Sequence, residues 1–288
     1  MKVFVTGGSG LVGSNIMSYF ENKDCVIVGS HLNYPTSNTV FFDTIDINNN
    51  ANFDLFSYNP DVIIHCGAMT NVDFAEENEE NSYLHTVKST NNLIEIAKKN
   101  NAKFIYVSTD YVFNGNKGFY IESDSPSPIN NYGKHKLEAE RNVEDAINNF
   151  LILRITNVYG KEERNKNFVS RLINQIKDKQ NIHLSLPFDQ YATPINASDI
   201  ARALWVLIEN NSKGIYHLAS TDYLNRCQLA EKIFKHFDYD NFLINRLETK
   251  SLQQKALRPL LGGMSASKFI SENPYFQFTC IEDFLKQI

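Results

Sequence analysis

The first nineteen residues constrain the fold more than any other stretch, because they combine an apolar run, a glycine cluster and a helical pattern. Residues 3–5 form a short apolar run that suits a buried strand. The glycines that follow are Gly7, Gly8, Gly10 and Gly13. Glycines let a backbone turn tightly against a pyrophosphate, and the helix N-terminus offers free N–H groups to the phosphates. The order predicts a dinucleotide site, and a plain tight turn is the alternative.

Composition narrows the class of protein. The chain has 288 residues, 42% of them hydrophobic and 21% charged, which is typical of a globular protein. A net charge of −5 without a basic run argues against a nucleic-acid partner. The apolar run at 203–208 is too short to cross a membrane.

The cysteines and the N-terminus indicate a cellular compartment. Cys25, Cys66, Cys227 and Cys280 are scattered without a C-x-x-C pair, which favours reduced thiols. The chain begins directly on a strand, so we expect no signal peptide. These features predict a cytoplasmic protein. The seven histidines show no metal-ligand spacing, and no bound metal is expected.

Apolar segments of strand length alternate with helical patterns along the chain. Strands are expected at 24–29, 40–42, 61–66, 103–108, 150–155 and 215–218, and helices at 78–100, 165–179 and 198–209, the last capped by Ser198. Residues 48–59 read as a polar helix or loop. The alternation predicts an α/β fold with a Rossmann-like, doubly wound parallel sheet and a smaller C-terminal substrate-binding lobe.

The two lobes have approximate limits. Residues 1–155 with about 196–222 are expected to form the dinucleotide-binding lobe, and about 156–195 with 223–288 the substrate-binding lobe. Besides Gly7 and Gly10, the predicted cofactor-binding residues follow the ends of strands or begin the first helix. They are Leu11, Val12, Ser30, His31, Asp46, Ile47, Cys66, Gly67 and Ala68.

The position after the second strand bears on the choice of cofactor. An acidic side chain there would bond the adenosine ribose and select NAD. This chain has Ser30 and His31 instead, so nothing repels a 2′-phosphate. No arginine or lysine stands beside them to hold that phosphate. NADPH is therefore the expected cofactor, with NADH as the alternative.

The residues that could carry chemistry lie between 108 and 136. Thr109 follows the fifth strand, and Tyr132 and Lys136 are four apart, on one face of the next helix. A ketone reduced by hydride needs a proton, and an ammonium could lower a phenol pKa from about 10 toward neutrality. The same spacing occurs at Tyr19 and Lys23, so only the combination with the glycine turn and the strand end is informative.

Several segments resemble one known family. They are TGGSGLVGS (6–14), TNVDFAEEN (70–78), STDYVFNG (108–115), YGKHKLEAE (132–140), LRITNVYG (153–160), NFV (167–169), DQYATPINASDIA (189–201) and RPLLGGMSASK (258–268). Together they resemble the extended short-chain dehydrogenase/reductases, and among these the dTDP-4-dehydrorhamnose reductases. They occur in order over nearly the whole chain.

The resemblance implies NADPH-dependent reduction of a 4-keto-6-deoxyhexose carried on a nucleotide diphosphate. It makes Tyr132 the proton donor, and Lys136 the group that holds the nicotinamide ribose and tunes Tyr132. Thr109 would position the keto oxygen. The glycines Gly7, Gly10 and Gly13 would wrap the pyrophosphate. The residues expected to contact substrate are Thr109, Asp110, Asn157 and Arg258, the last through phosphate, with a surface salt bridge as its alternative.

Three positions depart from the family pattern, and other functions stay open. The family's Asn-Ala-Ala after the fourth strand is His65-Cys66-Gly67-Ala68, Thr86 replaces an asparagine, and Asn157 replaces a tryptophan. His65 is either a polar core group or a site residue. A nucleotide-sugar epimerase or combined epimerase–reductase is one alternative function, and a non-catalytic NADP-binding subunit like that of methionine adenosyltransferase is another. A homodimer is a further expectation.

Overall fold

The computed structural model describes residues 1–48, 50 and 53–288. Its centre is a parallel seven-stranded sheet in the order β3-β2-β1-β4-β5-β6-β9. The strands are β1 (Lys2–Thr6), β2 (Val26–His31), β3 (Thr39–Phe41), β4 (Val62–His65), β5 (Lys103–Thr109), β6 (Phe150–Ile155) and β9 (Gly214–His217). The first six follow the order of a dinucleotide-binding sheet. The Rossmann-like, doubly wound sheet predicted from the alternation is confirmed.

Helices cover both faces of the sheet. Those of the main fold are α1 (Leu11–Phe20), α2 (Leu55–Tyr58), α3 (Val72–Glu77), α4 (Glu79–Tyr83), α5 (Ser89–Asn100), α6 (Asn131–Ala146), α7 (Phe168–Lys177) and α8 (Ala197–Glu209). One buried cluster packs α1 and α8 against one face, and a second packs α2, α5 and α6 against the other. Both clusters draw on β1, where Val3, Phe4 and Val5 are fully buried. Burial on both faces explains why these strands are continuously apolar.

The helix predicted over 78–100 contains a π-helical turn. Helices α4 and α5 are joined by Leu84–Lys88, whose hydrogen bonds have π-type spacing. This insertion places Thr86 and Ser89 in the buried interior. Periodicity alone does not reveal it, because one extra residue in a turn barely changes the apolar pattern.

Asparagine side chains begin many of these helices. Each of these side chains accepts a hydrogen bond from a backbone N–H in the first turn of the helix that follows. They belong to Asn71, Asn130, Asn167 and Asn196. Asparagine is among the best N-cap residues, which accounts for much of its abundance here. The cap of α8 is therefore Asn196, and the prediction of Ser198 was wrong: the Ser198 N–H donates to the Asn196 side chain.

The C-terminal region adds two small sheets. Strands β7 (Ile182–Pro187) and β11 (Phe242–Leu247) pair in parallel, and β8 (Tyr191–Ala192) and β10 (Leu224–Asn225) pair antiparallel. The remaining helices are α9 (Arg226–His236), α10 (Ser267–Glu272) and α11 (Ile281–Leu285). A separate apolar cluster lies between α7, α9, α11 and β7. The proposed lobe limits stay a prediction.

Two further predictions concern residues 48–59 and the absence of a membrane-spanning helix. Of the predicted helix or loop at 48–59, residues 55–58 are helical, whereas Asn49, Ala51 and Asn52 lie outside the described residues. Among the residues that are described, no helix has the length and hydropathy needed to span a membrane.

Candidate functional site

A cleft of about 820 Å³ opens at the carboxyl ends of the central strands. Its walls come from the glycine turn after β1 and from the residues that follow β2, β4, β5 and β6, together with the start of α6. Ligands bind at this edge of open parallel sheets, where the strand order reverses. Most of the residues predicted from the sequence to bind a ligand line this cleft.

The glycine turn is too tight for side chains. Gly7 has φ of +67°, and a Cβ on Gly13 would lie 2.2 Å from the Gly7 carbonyl oxygen. The Gly10 N–H donates to that same oxygen at 2.9 Å. The turn leads into α1 at Leu11, so the free N–H groups of the first helical turn face the cleft. This cradle fits a pyrophosphate, as the sequence predicts.

The floor beneath the turn is polar and buried. The His65 Nδ1 lies 2.7 Å from the Thr6 hydroxyl, and its Nε2 is 3.4 Å from the Ser89 hydroxyl. Burial, with the nearby Lys136 charge, lowers the pKa of His65 to about 3. Of the two readings of His65, the structure matches the polar core group. Cys66 lies in the cleft wall, and burial raises the pKa of its thiol to about 12.

The predicted cofactor residues divide into two groups. Leu11, Val12, Ser30, His31, Cys66, Gly67 and Ala68 line the cleft. Asp46 and Ile47 do not, since Ile47 packs against the buried apolar cluster behind the sheet, and Thr44 reaches the cleft instead. Asp46 is exposed in the loop that follows β3.

Tyr132 and Thr109 meet in the cleft. Tyr132 is half-buried at the start of α6, which Asn130 caps. Burial raises the pKa of the Tyr132 phenol, while the polar Thr109 side chain acts in the opposite direction. The sequence predicts a lowered pKa, and the direction here differs because the cost of burying a phenolate dominates. A phenol that stays protonated at neutral pH is the form that can give up a proton.

Lys136 lies deeper than its partner. Its Nζ donates to the Val107 carbonyl oxygen at 2.7 Å and stands 4.1 Å from the centre of the Tyr106 ring. Burial lowers the pKa of Lys136 to about 7, although Glu140 one turn away opposes the shift. Lys136 still lines the same cleft as Tyr132.

Asp110, which the sequence analysis expects to contact substrate, also accepts hydrogen bonds from two other segments of the chain. Its Oδ2 accepts hydrogen bonds from the Thr156 hydroxyl at 2.8 Å and from the Gly263 N–H at 3.3 Å. The carboxylate thereby joins the ends of β5 and β6 to the C-terminal segment. Burial raises its pKa and these hydrogen bonds counter the shift.

Two arginines differ in what they contact. Arg258 forms an ion pair with Asp73 at 2.8 Å. It is not among the described residues that line the cleft. Arg226, which the sequence reasoning missed, does line the cleft and donates to the Asn157 side chain at 3.1 Å. Asn157 has φ of +42°, a region that asparagine tolerates better than most residues. No local pattern marks Arg226, because its partners lie about 60 or more residues away in the chain.

The cleft as a whole fits a dinucleotide. The glycine cradle would hold the pyrophosphate, Ser30 and His31 stand where the adenosine ribose is expected, and Tyr132 with Lys136 stand at the nicotinamide end. Within residues 1–48, 50 and 53–288 no cluster of three or more histidine, cysteine or acidic side chains could hold a metal ion.

Fold and site together define a dinucleotide-binding α/β protein of the short-chain dehydrogenase/reductase type. The chain belongs to the RmlD substrate binding domain family, whose sequence model matches residues 1–279. The family resemblance seen in the sequence is thereby confirmed.

Several known proteins are similar to this chain over most of its length. The probable low-salt glycan biosynthesis reductase Agl14 of Haloferax volcanii is 31% identical over 98% of this chain and 96% of its own. The dTDP-4-dehydrorhamnose reductase of Bacillus anthracis, solved in complex with NADP, is 27% identical and superposes with a TM-score of 0.85 over 99% of this chain and 97% of its own. Methionine adenosyltransferase 2 subunit beta of Bos taurus is 27% identical over 82% of this chain and 72% of its own.

Proposed function

We propose that the protein is an NADPH-dependent reductase of the 4-keto group of a nucleotide-linked 4-keto-6-deoxyhexose, with NADH as an alternative cofactor. The observation that supports it most is that Thr109, Tyr132 and Lys136 line the same cleft as the glycine cradle. Relatives named as reductases, one of them solved with NADP, support the same reaction class.

The residues of this chain have distinct tasks in that reaction. The cofactor, when bound, supplies the hydride. Tyr132 Oη gives its proton to the carbonyl oxygen as negative charge develops there, and the Thr109 hydroxyl orients the same oxygen. Lys136, as an ammonium, would hold the nicotinamide ribose and stabilise the phenolate that Tyr132 becomes. Walls from both proposed lobes would exclude water from the transfer.

Arg226 is our candidate for the phosphate groups of the substrate. Its guanidinium lies above the Phe168 ring at 5.0 Å and donates to Asn157. The described residues give it no carboxylate partner within salt-bridge distance, unlike Arg258. A partly buried guanidinium is suited to binding phosphate oxygens. Substrate-binding roles for Thr109, Asp110 and Asn157 belong to the same proposal.

Purified protein tests the proposal directly. With dTDP-4-keto-6-deoxyglucose or a related nucleotide keto sugar, NADPH absorbance should fall and a 4-hydroxy sugar should form. The same reaction in deuterated water tests the epimerase alternative, since deuterium at carbons other than C4 would reveal it. Failure to reduce any nucleotide keto sugar with either cofactor would contradict the proposal.

The similarity to methionine adenosyltransferase subunits beta supports a second candidate, a non-catalytic NADP-binding subunit. A pull-down that yields a stoichiometric catalytic partner, together with absent ketone reduction, would favour it. The presence of Thr109, Tyr132 and Lys136 in one cleft favours the enzyme.

A further inference from the structure

A loop between β6 and α7 bends over one end of the cleft. The Asn15 side chain of α1 donates to the Lys161 carbonyl oxygen at 2.9 Å, which attaches the loop to the helix after the glycine turn. Glu162 Oε1 accepts the backbone N–H groups of Lys166 and Asn167 at 2.7 and 2.6 Å. These bonds give the loop a defined shape.

The loop carries Arg164 to Tyr34, three residues beyond the end of β2. The guanidinium carbon lies 5.2 Å from the centre of the Tyr34 ring, and Arg164 lines the cleft together with Ser30 and His31. Its Nε is buried and has no hydrogen-bond partner among the described residues, which also give it no salt bridge. Arg164 as a whole is half-buried, and an anion beside it would give the buried Nε–H the partner that it lacks among the described residues.

NADPH carries two kinds of anionic group that could meet this cation. The diphosphate belongs at the glycine turn, where the start of α1 supplies its donors. The 2′-phosphate belongs on the adenosine ribose, beside the residues that follow β2. Since Arg164 stacks on Tyr34, four residues after Ser30, we propose that Arg164 binds the 2′-phosphate and sets the preference for NADPH.

The surrounding charges are mixed. Lys166 also lines the cleft and adds positive charge. The Glu163 carboxylate adds negative charge, and it accepts a hydrogen bond from the Tyr34 hydroxyl at 3.3 Å. Glu162 is already engaged by backbone donors of its own loop. Arg164 is thus the cation that lies over Tyr34, and its Nε–H has no hydrogen-bond partner among the described residues. The cation missing from the sequence beside Ser30 and His31 is supplied from 133 positions beyond His31.

Calorimetry on the full-length protein tests this proposal without any sugar substrate. We expect wild type to bind 2′,5′-ADP and NADP⁺ more tightly than 5′-AMP and NAD⁺. Arg164→Gln should weaken binding of the two 2′-phosphorylated ligands about 10- to 100-fold, the range for losing a charge-assisted hydrogen bond, and leave the other two within about twofold. Arg171→Gln, an exposed arginine of α7 outside the cleft wall, is the matched control and should change nothing.

Other patterns would overturn the proposal. An equal loss for NADP⁺ and NAD⁺ would place Arg164 at the diphosphate, or show that it only shapes the loop. Unchanged binding of all four ligands would mean that it touches neither phosphate. Arg164→Lys keeps the positive charge, so it should retain part of the preference for the 2′-phosphorylated ligands. If Arg164→Lys and Arg164→Gln both weaken the binding of all four ligands, the role of Arg164 is structural. Because the proposal rests only on cofactor binding, these results stand whether or not the keto sugar is the substrate.

Discussion

The rings of Tyr111 and Tyr132 meet edge to face, with centroids 5.5 Å apart and planes inclined by 75°. This contact fixes the orientation of the Tyr132 ring in the cleft. Burial raises the pKa of Tyr111 to about 12, so both phenols are protonated at neutral pH. Tyr111 also holds Thr109 in place, since its backbone N–H donates to the Thr109 hydroxyl at 3.2 Å. In the proposed reaction Tyr132 is the proton donor, and Tyr111 packs against it.

Tyr132→Phe should lower kcat by about 10²- to 10⁴-fold, the usual contribution of a general acid. Removing one oxygen leaves the ring packing intact, so the melting temperature and the Kd of NADPH should hardly change. Reduction is followed through NADPH absorbance. Tyr19→Phe is the matched control, since Lys23 follows Tyr19 at the same spacing, just beyond the end of α1, and Tyr19 lies outside the cleft wall. Wild-type rates in Tyr132→Phe would contradict the assignment.

Arg226→Gln should raise the KM of the nucleotide sugar about 10- to 100-fold, because a charge-assisted contact to phosphate is lost. The Kd of NADPH should stay constant. Arg258→Gln provides the comparison, because the alternative phosphate contact is already paired with Asp73. If Arg258→Gln raises KM and Arg226→Gln does not, the phosphate belongs to Arg258.

Gly13→Ala should abolish measurable NADPH binding, since the new methyl group would lie 2.2 Å from the Gly7 carbonyl oxygen. Something in the turn must move, and the cradle for the pyrophosphate moves with it. Gly214→Ala is the control: its Cβ would have nothing within 4 Å, although φ of +88° makes the substitution somewhat destabilising. Normal cofactor affinity in Gly13→Ala would show that the turn does not bind phosphate.

Glu140→Gln should reduce the free energy of unfolding by about 3–5 kcal/mol, since it leaves a buried arginine without its carboxylate. Glu140 and Arg154 form a two-bonded pair, with Nη2 to Oε2 at 2.7 Å and Nε to Oε1 at 3.0 Å, and both side chains are buried. Urea denaturation measures the effect. Glu138→Gln, on the exposed face of the same helix, should cost little, and equal losses in the two variants would refute the argument.

Acid should destabilise the protein through two buried histidines. Burial lowers the pKa of both His65 and His217 to about 3. Between that value and about 6.5 the unfolded chain binds protons that the folded chain does not, so stability falls as pH drops through this window. Each histidine contributes about 1.4 kcal/mol per pH unit there. The loss is complete near pH 3 and absent above about pH 7.

The histidine effect can be isolated with a pair of variants. His65→Asn should make the urea-derived free energy of unfolding less steep between pH 6.5 and 5, by about one proton. His183→Asn, at an exposed position on β7, should leave the slope unchanged. An unaltered slope in His65→Asn would mean that His65 titrates normally in the folded protein.

The sequence is sufficient to predict the main sheet, because its strands are buried on both faces and therefore appear as apolar runs such as residues 3–5. It also brings Thr109, Tyr132 and Lys136 to one cleft, since strand ends of a parallel sheet share one edge. β8 and β10 have two residues each and leave no periodic signal, and β11 is largely exposed. Such elements depend on pairing with distant partners.

Side-chain roles were harder to predict than elements. Arg226 and Arg164 reach the cleft through contacts with residues far away in the chain, so local pattern does not mark them. Asp46 and Ile47 follow a strand but do not line the cleft. The direction of the Tyr132 pKa depends on burial, which spacing alone does not give. The cytoplasmic location and the homodimer stay predictions.

The hydrogen bonds that Asp110 accepts bear on how the protein matures. Gly263 stands 153 positions beyond Asp110, yet its N–H secures the end of the strand that carries Thr109. A nascent chain can assemble the glycine turn and most of the sheet early in translation. The edge beside Thr109 is complete only once Gly263 has been synthesised, so a fragment that ends before Gly263 should bind nucleotide and lack the proposed reductase activity.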